Sequence, residues 1–325
     1  MKPIRVGIAG ARRAREGLGP FVARELRAAG ADVVAFSCTT RESVAAADRA
    51  LAGVGVTGAR GHVGVDALLA SESLDALAIL TPAGAHAECL EAALGAGLHV
   101  LCEKPLVWDV ADPAELTRRL VDEFAARRRV LSENCQWPYT LTAFEALHPG
   151  TLVAGRPPRR FGMRLSPSST GARMLVDVLS HPLSVLQHLC GANAGRIEDV
   201  GFSTRDPRTE ALCVRFVLCT PRGDVEVEVE LVGRSRPPRE AWLTIEGRQA
   251  RRTIRTGDYA FGFEADGRRV ELADPLAALV RDFVAAAGGA VAPPSRAGAI
   301  VWRMEAVCEI VRAFGGEVSR EERQP

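Results

Sequence analysis

The chain has 325 residues, 47% of them hydrophobic, with 41 basic and 40 acidic side chains. That length allows two domains and a large core, and the near-cancelling charge gives no argument for a nucleic-acid or membrane-surface partner. Eight scattered cysteines without a CxxC pair suggest neither a zinc site nor a disulfide framework. The amino terminus enters a strand pattern at once and no apolar run is long enough to span a bilayer. The expectation is a soluble, reduced, cytoplasmic protein.

Ile4 to Gly10 reads as a buried strand running into a glycine turn, Pro20 to Ala29 as a helix with proline at its start, and Asp32 to Ser37 as the next strand. Strand, glycine turn, helix and strand make the dinucleotide-binding arrangement, in which a pyrophosphate rests on the N–H groups of a helix N-terminus. The loop departs from G-x-G-x-x-G: Gly10-Ala11-Arg12-Arg13-Ala14-Arg15 puts arginines where two glycines belong. It loses some close backbone approach and gains guanidinium groups that suit a phosphate. After the second strand, Thr39-Thr40-Arg41 stands where an acid would bind a ribose hydroxyl. These residues favour NADP(H), with NAD(H) as the alternative, and Thr39 or Thr40 also suits the cap of a helix over Val44 to Leu51.

Gly53 to Gly64 is expected to hold a short strand at Val54 to Val56 and then a loop carrying an exposed His62. A short helix at Asp66 to Leu69, a strand at Leu74 to Leu80 ending in Thr81-Pro82, and a helix from Ala85 to Ala96 follow. His86 at the start of that helix either touches the cofactor or decorates the helix end. Leu98 to Cys102 is a buried strand that stops abruptly in Glu103-Lys104-Pro105. Ligands of open α/β sheets sit beyond the carboxyl ends of the strands, so a lysine there can reach a substrate. A helix from Asp112 to Arg127 and a strand at Val130 to Ser132 complete a doubly wound parallel sheet.

The pattern changes after Pro149-Gly150. A connecting region runs to Gly171, and Met174 to Cys190 reads as one helix with Asp177 and His181 four apart on one face. The remainder is mostly antiparallel strand, with Ala211 to Cys219 and Val225 to Leu231 as a hairpin whose second strand alternates Val and Glu, one face buried and one acidic. Arg215 and Arg236 are candidate partners for those glutamates. Helices at Pro275 to Ala287 and Ala297 to Phe314, the latter stopped by Gly315, close the chain before a charged tail. The division expected is a dinucleotide-binding domain at 1–134 and a substrate-binding and oligomerisation domain at 135–325.

Glu103-Lys104-Pro105, Thr81-Pro82 with His86, Asp75, Gly171 with Asp177 and His181, and His188-Leu189-Cys190-Gly191 together resemble the glucose–fructose oxidoreductase and inositol dehydrogenase (Gfo/Idh/MocA) family over nearly the whole chain. The resemblance implies a Rossmann domain followed by an α/β domain with an open, mostly antiparallel sheet used for homodimer or homotetramer contacts. It implies hydride transfer between a nicotinamide and a carbinol or carbonyl carbon of a sugar, cyclitol or similar metabolite. Lys104 would bind and polarise the reacting oxygen, His181 would be the general acid/base, Asp177 would orient, and no metal is required. The implied cofactor-binding set is Gly7, Gly10, Ala11, Arg12, Arg13, Arg15, Thr39, Thr40, Arg41, Thr81, Pro82, His86, Glu103, Lys104 and Asn134. Asn134-Cys135-Gln136-Trp137 replaces a more basic segment of sugar-acting members, so with Trp108 and Trp137 a less polar substrate, or an imine, is an alternative. A regulatory dinucleotide-binding member without catalysis, or a lyase or glycosidase with tightly held NAD, are the other functions of this fold class.

Overall fold

A computed structural model describes residues 2–12, 18–191, 193–204, 210–234, 236, 239–255, 260–289 and 297–321. The chain divides into two compact units, 1–134 with 276–301, and 135–275 with 302–325. In the first unit, β1 (Arg5–Ala9), α1 (Gly19–Ala28), β2 (Asp32–Cys38), α2 (Arg41–Ala52), β3 (Arg60–Val63), α3 (Val65–Ser71), β4 (Ala76–Ile79), α4 (His86–Gly95), β5 (His99–Cys102), α5 (Pro113–Ala126) and β6 (Leu131–Glu133) alternate. The strands form one sheet in the order β3-β2-β1-β4-β5-β6, every pairing parallel. This is the Rossmann order, with its switch point between β1 and β4. The central strands are apolar on both sides: Val6, Ile8, Ala76, Leu77, Ala78, Ile79, Val100 and Leu101 are fully buried, as a sheet covered by helices requires.

Two links stitch β1 to β4 at the end opposite the ligand side. Asp75 accepts a hydrogen bond from the Arg5 backbone N–H at 2.8 Å, and its own N–H donates to the Arg5 carbonyl at 2.8 Å. At the sheet edge, the strand expected at Val54 to Val56 is instead a turn after α2, and the edge strand is β3, six residues downstream of Val54. Gly55 and Gly58 take positive φ there, which breaks an extended run. His62 is half-buried rather than exposed, its Nε2 2.9 Å from the Glu72 carboxylate.

The second unit carries α6 (Leu141–Leu147), β7 (Arg160–Leu165), α7 (Ala172–Val178), α8 (Ser180–Cys190), β8 (Arg196–Thr204), β9 (Ala211–Thr220), β10 (Gly223–Val232), β11 (Trp242–Ile245), β12 (Arg248–Arg255), β13 (Ala260–Ala265) and β14 (Arg268–Leu272). Two helices, α9 (Pro275–Ala287) and α10 (Ala297–Glu321), follow, and the division between the units falls at the start of α9 and within α10. The eight strands form one sheet, β14-β13-β12-β11-β7-β10-β9-β8, antiparallel except where β7 runs parallel to β10. Along β10, Val225, Val227, Val229 and Leu231 are buried while the glutamates between them face outward. On the covered face, Phe202 of β8 meets Phe314 of α10 edge-on at 5.0 Å.

Three expectations need correction. The supposed connecting region contains β7, central in the second sheet, with Phe161, Met163 and Leu165 buried. The single helix over 174–190 is two, α7 and α8, meeting at Leu179. Pro182 lacks the N–H that would bond the carbonyl of Val178, which breaks the ladder while Leu179 keeps helical angles. Gly315 does not stop the last helix, which runs on to Glu321. A glycine ends a helix by turning left-handed after it, and inside one it costs only about 1 kcal/mol. None of the described helices is long and apolar enough to cross a membrane.

Candidate active site

The carboxyl ends of β1, β2, β4, β5 and β6 bring most of the expected cofactor-binding residues of the first unit to one edge of its sheet. Gly10 leaves β1 with φ +84°, and its N–H donates to the Ser37 carbonyl at 2.9 Å. A Cβ on Gly10 would stand 2.8 Å from the backbone of Leu80 and Thr81, so only glycine lets the β1 turn pass the end of β4. Gly7 is closed in likewise, by Leu74. Gly19 opens α1 directly against Ala11: a Cβ there would lie 2.4 Å from the Ala11 carbonyl oxygen. Gly19 was not among the expected site residues, because it falls later than the third glycine of the fingerprint. The close helix–strand contact which that third glycine permits is nevertheless present. Arg13 and Arg15 lie outside the described residues.

These residues fit a dinucleotide. The ten-residue α1 starts at the turn with no side-chain cap among the described residues, which leaves its first amides for an anion. Arg12, Thr39, Thr40 and Arg41 are exposed beside it. The Thr40 side chain accepts from the Ser43 N–H at 3.2 Å and the Ser43 hydroxyl accepts from the Thr40 N–H at 2.9 Å, a capping box. The helix cap foreseen for Thr39 or Thr40 is therefore made by Thr40, and Arg41 follows as the first residue of α2. Cys38 packs beneath the loop among Ala11, Arg12 and Ser43, and burial pushes its thiol up.

Lys104 stands on a turn held from several sides. The Lys104–Pro105 peptide is cis. The Pro105 carbonyl lies 2.9 Å from His86 Nδ1, and the Leu106 N–H donates to Glu133 Oε1 at 3.0 Å. Beside Lys104, Glu103 accepts from the Asn134 side-chain amide, and the Asn134 N–H donates to the Cys102 carbonyl at 2.8 Å. Burial raises the Glu103 carboxyl, while the Lys104 ammonium, the Asn134 amide and the His86 ring pull the other way. His86 is 1% exposed, and its Nε2 lies 2.8 Å from the Thr81 carbonyl. Both of its ring nitrogens thus face the chain's own backbone. Glu133 is the buried acid that the sequence reading passed over as the end of a short strand.

The second unit presents Asp177 near the end of α7 and His181 at the start of α8, both half-buried. Gly171, with φ +61°, opens α7, and Gly191, with φ +107°, closes α8. Asp177 pairs with Arg173 at 3.2 Å. The His181 ring is backed by Trp137, 6.3 Å between centroids, and the Ser184 hydroxyl donates to the His181 carbonyl at 2.7 Å. Trp137 is buried rather than lining open space, and the Arg252 guanidinium of β12 lies over its ring at 5.5 Å. The positive charge missing from Asn134-Cys135-Gln136-Trp137 thus returns from a strand more than a hundred residues later.

Comparison with known proteins bears on the fold that carries these residues. Residues 4–133 match the model of the Gfo/Idh/MocA family, described as an oxidoreductase family with an NAD-binding Rossmann fold. Over 203 residues the chain is 28% identical to an inositol 2-dehydrogenase of Leifsonia xyli, a match covering 57% of this chain and 56% of that protein. Over 77 residues it is 44% identical to an NADP(+)-linked D-xylose 1-dehydrogenase of Haloferax volcanii, covering 21% of this chain and 23% of that protein. The chain thus spans less than two thirds of these relatives' length. Among solved structures, a 3-ketoreductase of Actinomadura kijaniata in complex with TDP-benzene and NADP superposes with a TM-score of 0.68 at 22% identity, over 96% of this chain and 98% of that one. A UDP-N-acetylglucosamine 3-dehydrogenase of Acidithiobacillus ferrooxidans gives 0.67 at 22% identity, over 97% and 98%. The two-domain fold is therefore shared along almost the whole chain.

Proposed function

We propose that this protein is an NAD(P)-dependent oxidoreductase that moves hydride between the nicotinamide and a carbinol or carbonyl carbon of a sugar-like small molecule, with NADP(H) preferred. The observation that carries the proposal is Lys104: a cation at the carboxyl end of a central Rossmann strand, on a turn fixed by Pro105, Leu106 and Glu103. A group held that firmly suits recognition of one atom of a substrate. The named activities of the relatives, on inositol and D-xylose, support a polyhydroxylated substrate.

The bound nicotinamide would supply or accept the hydride. The rest falls to the chain's own residues. The Lys104 ammonium donates a hydrogen bond to the reacting oxygen and stabilises its alkoxide character. His181 takes or returns the proton on that oxygen, since an imidazole titrates in the range this exchange needs. Asp177, held by Arg173, orients substrate or histidine. Arg12 and Arg41 would hold the 2′-phosphate that distinguishes NADP(H).

Titration with NADPH and NADH, read by nicotinamide fluorescence, tests the cofactor reading, and turnover across sugars, cyclitols and cyclic imines tests the chemistry. NADPH-linked turnover of a polyol or ketose, lost in Lys104→Ala, is the expected result. Failure of the parent to bind either dinucleotide would overturn the proposal.

A further inference from the structure

His86 is fully buried, and each of its ring nitrogens lies within 3 Å of a backbone carbonyl oxygen: Nδ1 at 2.9 Å from Pro105 and Nε2 at 2.8 Å from Thr81. A carbonyl oxygen can only accept. A neutral imidazole carries one N–H, so one of these contacts would then set lone pair against lone pair. The imidazolium, with an N–H at each nitrogen, satisfies both. The charged groups on the elements that meet here are Glu103 and Lys104 after β5, Glu133 at the end of β6, Asp109 beside Gly84, and Glu88 on α4 itself, with the Cys89 thiol beside Thr81.

We propose that His86 is a positioning residue: as an imidazolium it ties the Thr81 end of β4 to the Lys104–Pro105 turn, and so sets where the Lys104 ammonium stands. The two anchored carbonyls belong to the loops that leave adjacent parallel strands, at the face where the Rossmann sheet takes its ligand. The ring therefore acts through the turn, not on substrate. Its bearing on turnover rests on the proposed role of Lys104, but the clamp itself can be tested without turnover.

The sequence makes the test clean, because Lys2 and Lys104 are the chain's only lysines. Reductive methylation with ¹³C-formaldehyde keeps their charge and labels only these two and the terminal amine, and Lys104→Arg identifies the Lys104 signal. In ¹⁵N-histidine-labelled parent protein at pH 7, with His86 assigned through its backbone, both ring nitrogens are expected in the protonated range. In His86→Gln, whose single amide nitrogen cannot stand at both ring-nitrogen positions, the Lys104 signal is expected to shift and broaden while NADPH still binds. On a substrate found by screening, kcat is expected to fall about 10–100-fold, the scale of a small misplacement. A neutral His86 at pH 7, or a Lys104 signal unmoved in folded His86→Gln, would overturn the clamp. Should His86→Gln not fold, the parent's ring state decides. Loss of turnover in Lys104→Ala tests the separate reading of that lysine, so the two can fail independently.

Discussion

At the scale of single residues, the site depends on a few atoms whose replacement should have separable effects. His181→Ala and Lys104→Ala are each expected to lower kcat by roughly 10²–10⁴-fold, the usual worth of a positioned acid/base group, with NADPH affinity retained. Asp177→Asn is expected to be milder, since its carboxylate orients and already shares Arg173. A His181→Ala enzyme that kept parent rates across pH would move the proton-transfer role elsewhere. Arg41→Ala should weaken NADPH by about tenfold or more, a lost charge-assisted hydrogen bond, and NADH much less. Equal weakening of the two, measured by fluorescence titration, would discard Arg41 as the phosphate reader. Lys104 was legible in the sequence because an apolar strand ends in an acid, a base and a proline. Its supports were not, since His86 and Glu133 lie 18 residues before and 29 residues after it and meet its turn only through strand order. Lysine scarcity was a signal within reach: a chain that uses arginine almost everywhere keeps lysine at this one internal position.

At the scale of elements, what could be read depended on how far each strand's environment is written in its own residues. The alternation in β10 stands out because one face is buried and the other is charged. The neighbouring β7 alternates too, yet Pro157, Pro158 and Pro167 frame it with turn signals, and its parallel partner lies more than sixty residues on. The edge strand β3 has a glycine, a histidine and an exposed Val63, so no periodicity marks it. What holds that edge is a buried carboxylate. Glu72, at the end of α3, takes both the Arg60 guanidinium and His62, and Arg60 leads in pulling its carboxyl down to about 2. A folded-state value below the ordinary carboxylate range means that the stabilisation is complete above about pH 4.5 and is lost as pH falls toward 2. At pH 7 Glu72→Gln is therefore expected to lose on the order of 2–3 kcal/mol relative to the parent. The gap in thermal midpoint should shrink steadily between pH 5 and 3. A constant gap across that range would assign the loss to packing and not to charge.

At the scale of the whole molecule, the second sheet has one face covered by its own helices and one open, and the open face bears on assembly. The sequence suggested an acidic face, which would oppose burial against a partner because uncompensated carboxylates are poor interface cores. In the fold several of these acids are compensated: across strands, Glu228 by Arg215 at 2.5 Å, Glu230 by Arg164 at 3.8 Å and Glu264 by Arg251, and along β14, Glu271 by Arg269 at 3.4 Å. Sequence alone suggested Arg215 and Arg236, of which Arg215 is the one seen paired with a glutamate of β10 among the described residues. The Arg164 and Arg251 pairs required the strand order. Half-exposed Trp242, Thr244, Val217 and Cys213 lie among these pairs, so the face is a neutralised lattice with apolar gaps, of a kind that can meet its own copy about a two-fold axis. We propose a homodimer through this face, alone or within a tetramer. Exposed ion pairs are worth little singly, but reversing one charge in the lattice leaves two acids face to face in each subunit and adds unneutralised negative charge to the face. Arg215→Glu is accordingly expected to leave the monomer folded, with an unchanged far-ultraviolet spectrum, and to shift light scattering at micromolar concentration from dimer to monomer. The double change Arg215→Glu with Glu228→Arg restores the pairing and should restore the dimer. If the parent itself scatters as a monomer, the lattice serves solvation and the open face has no copy of the chain upon it.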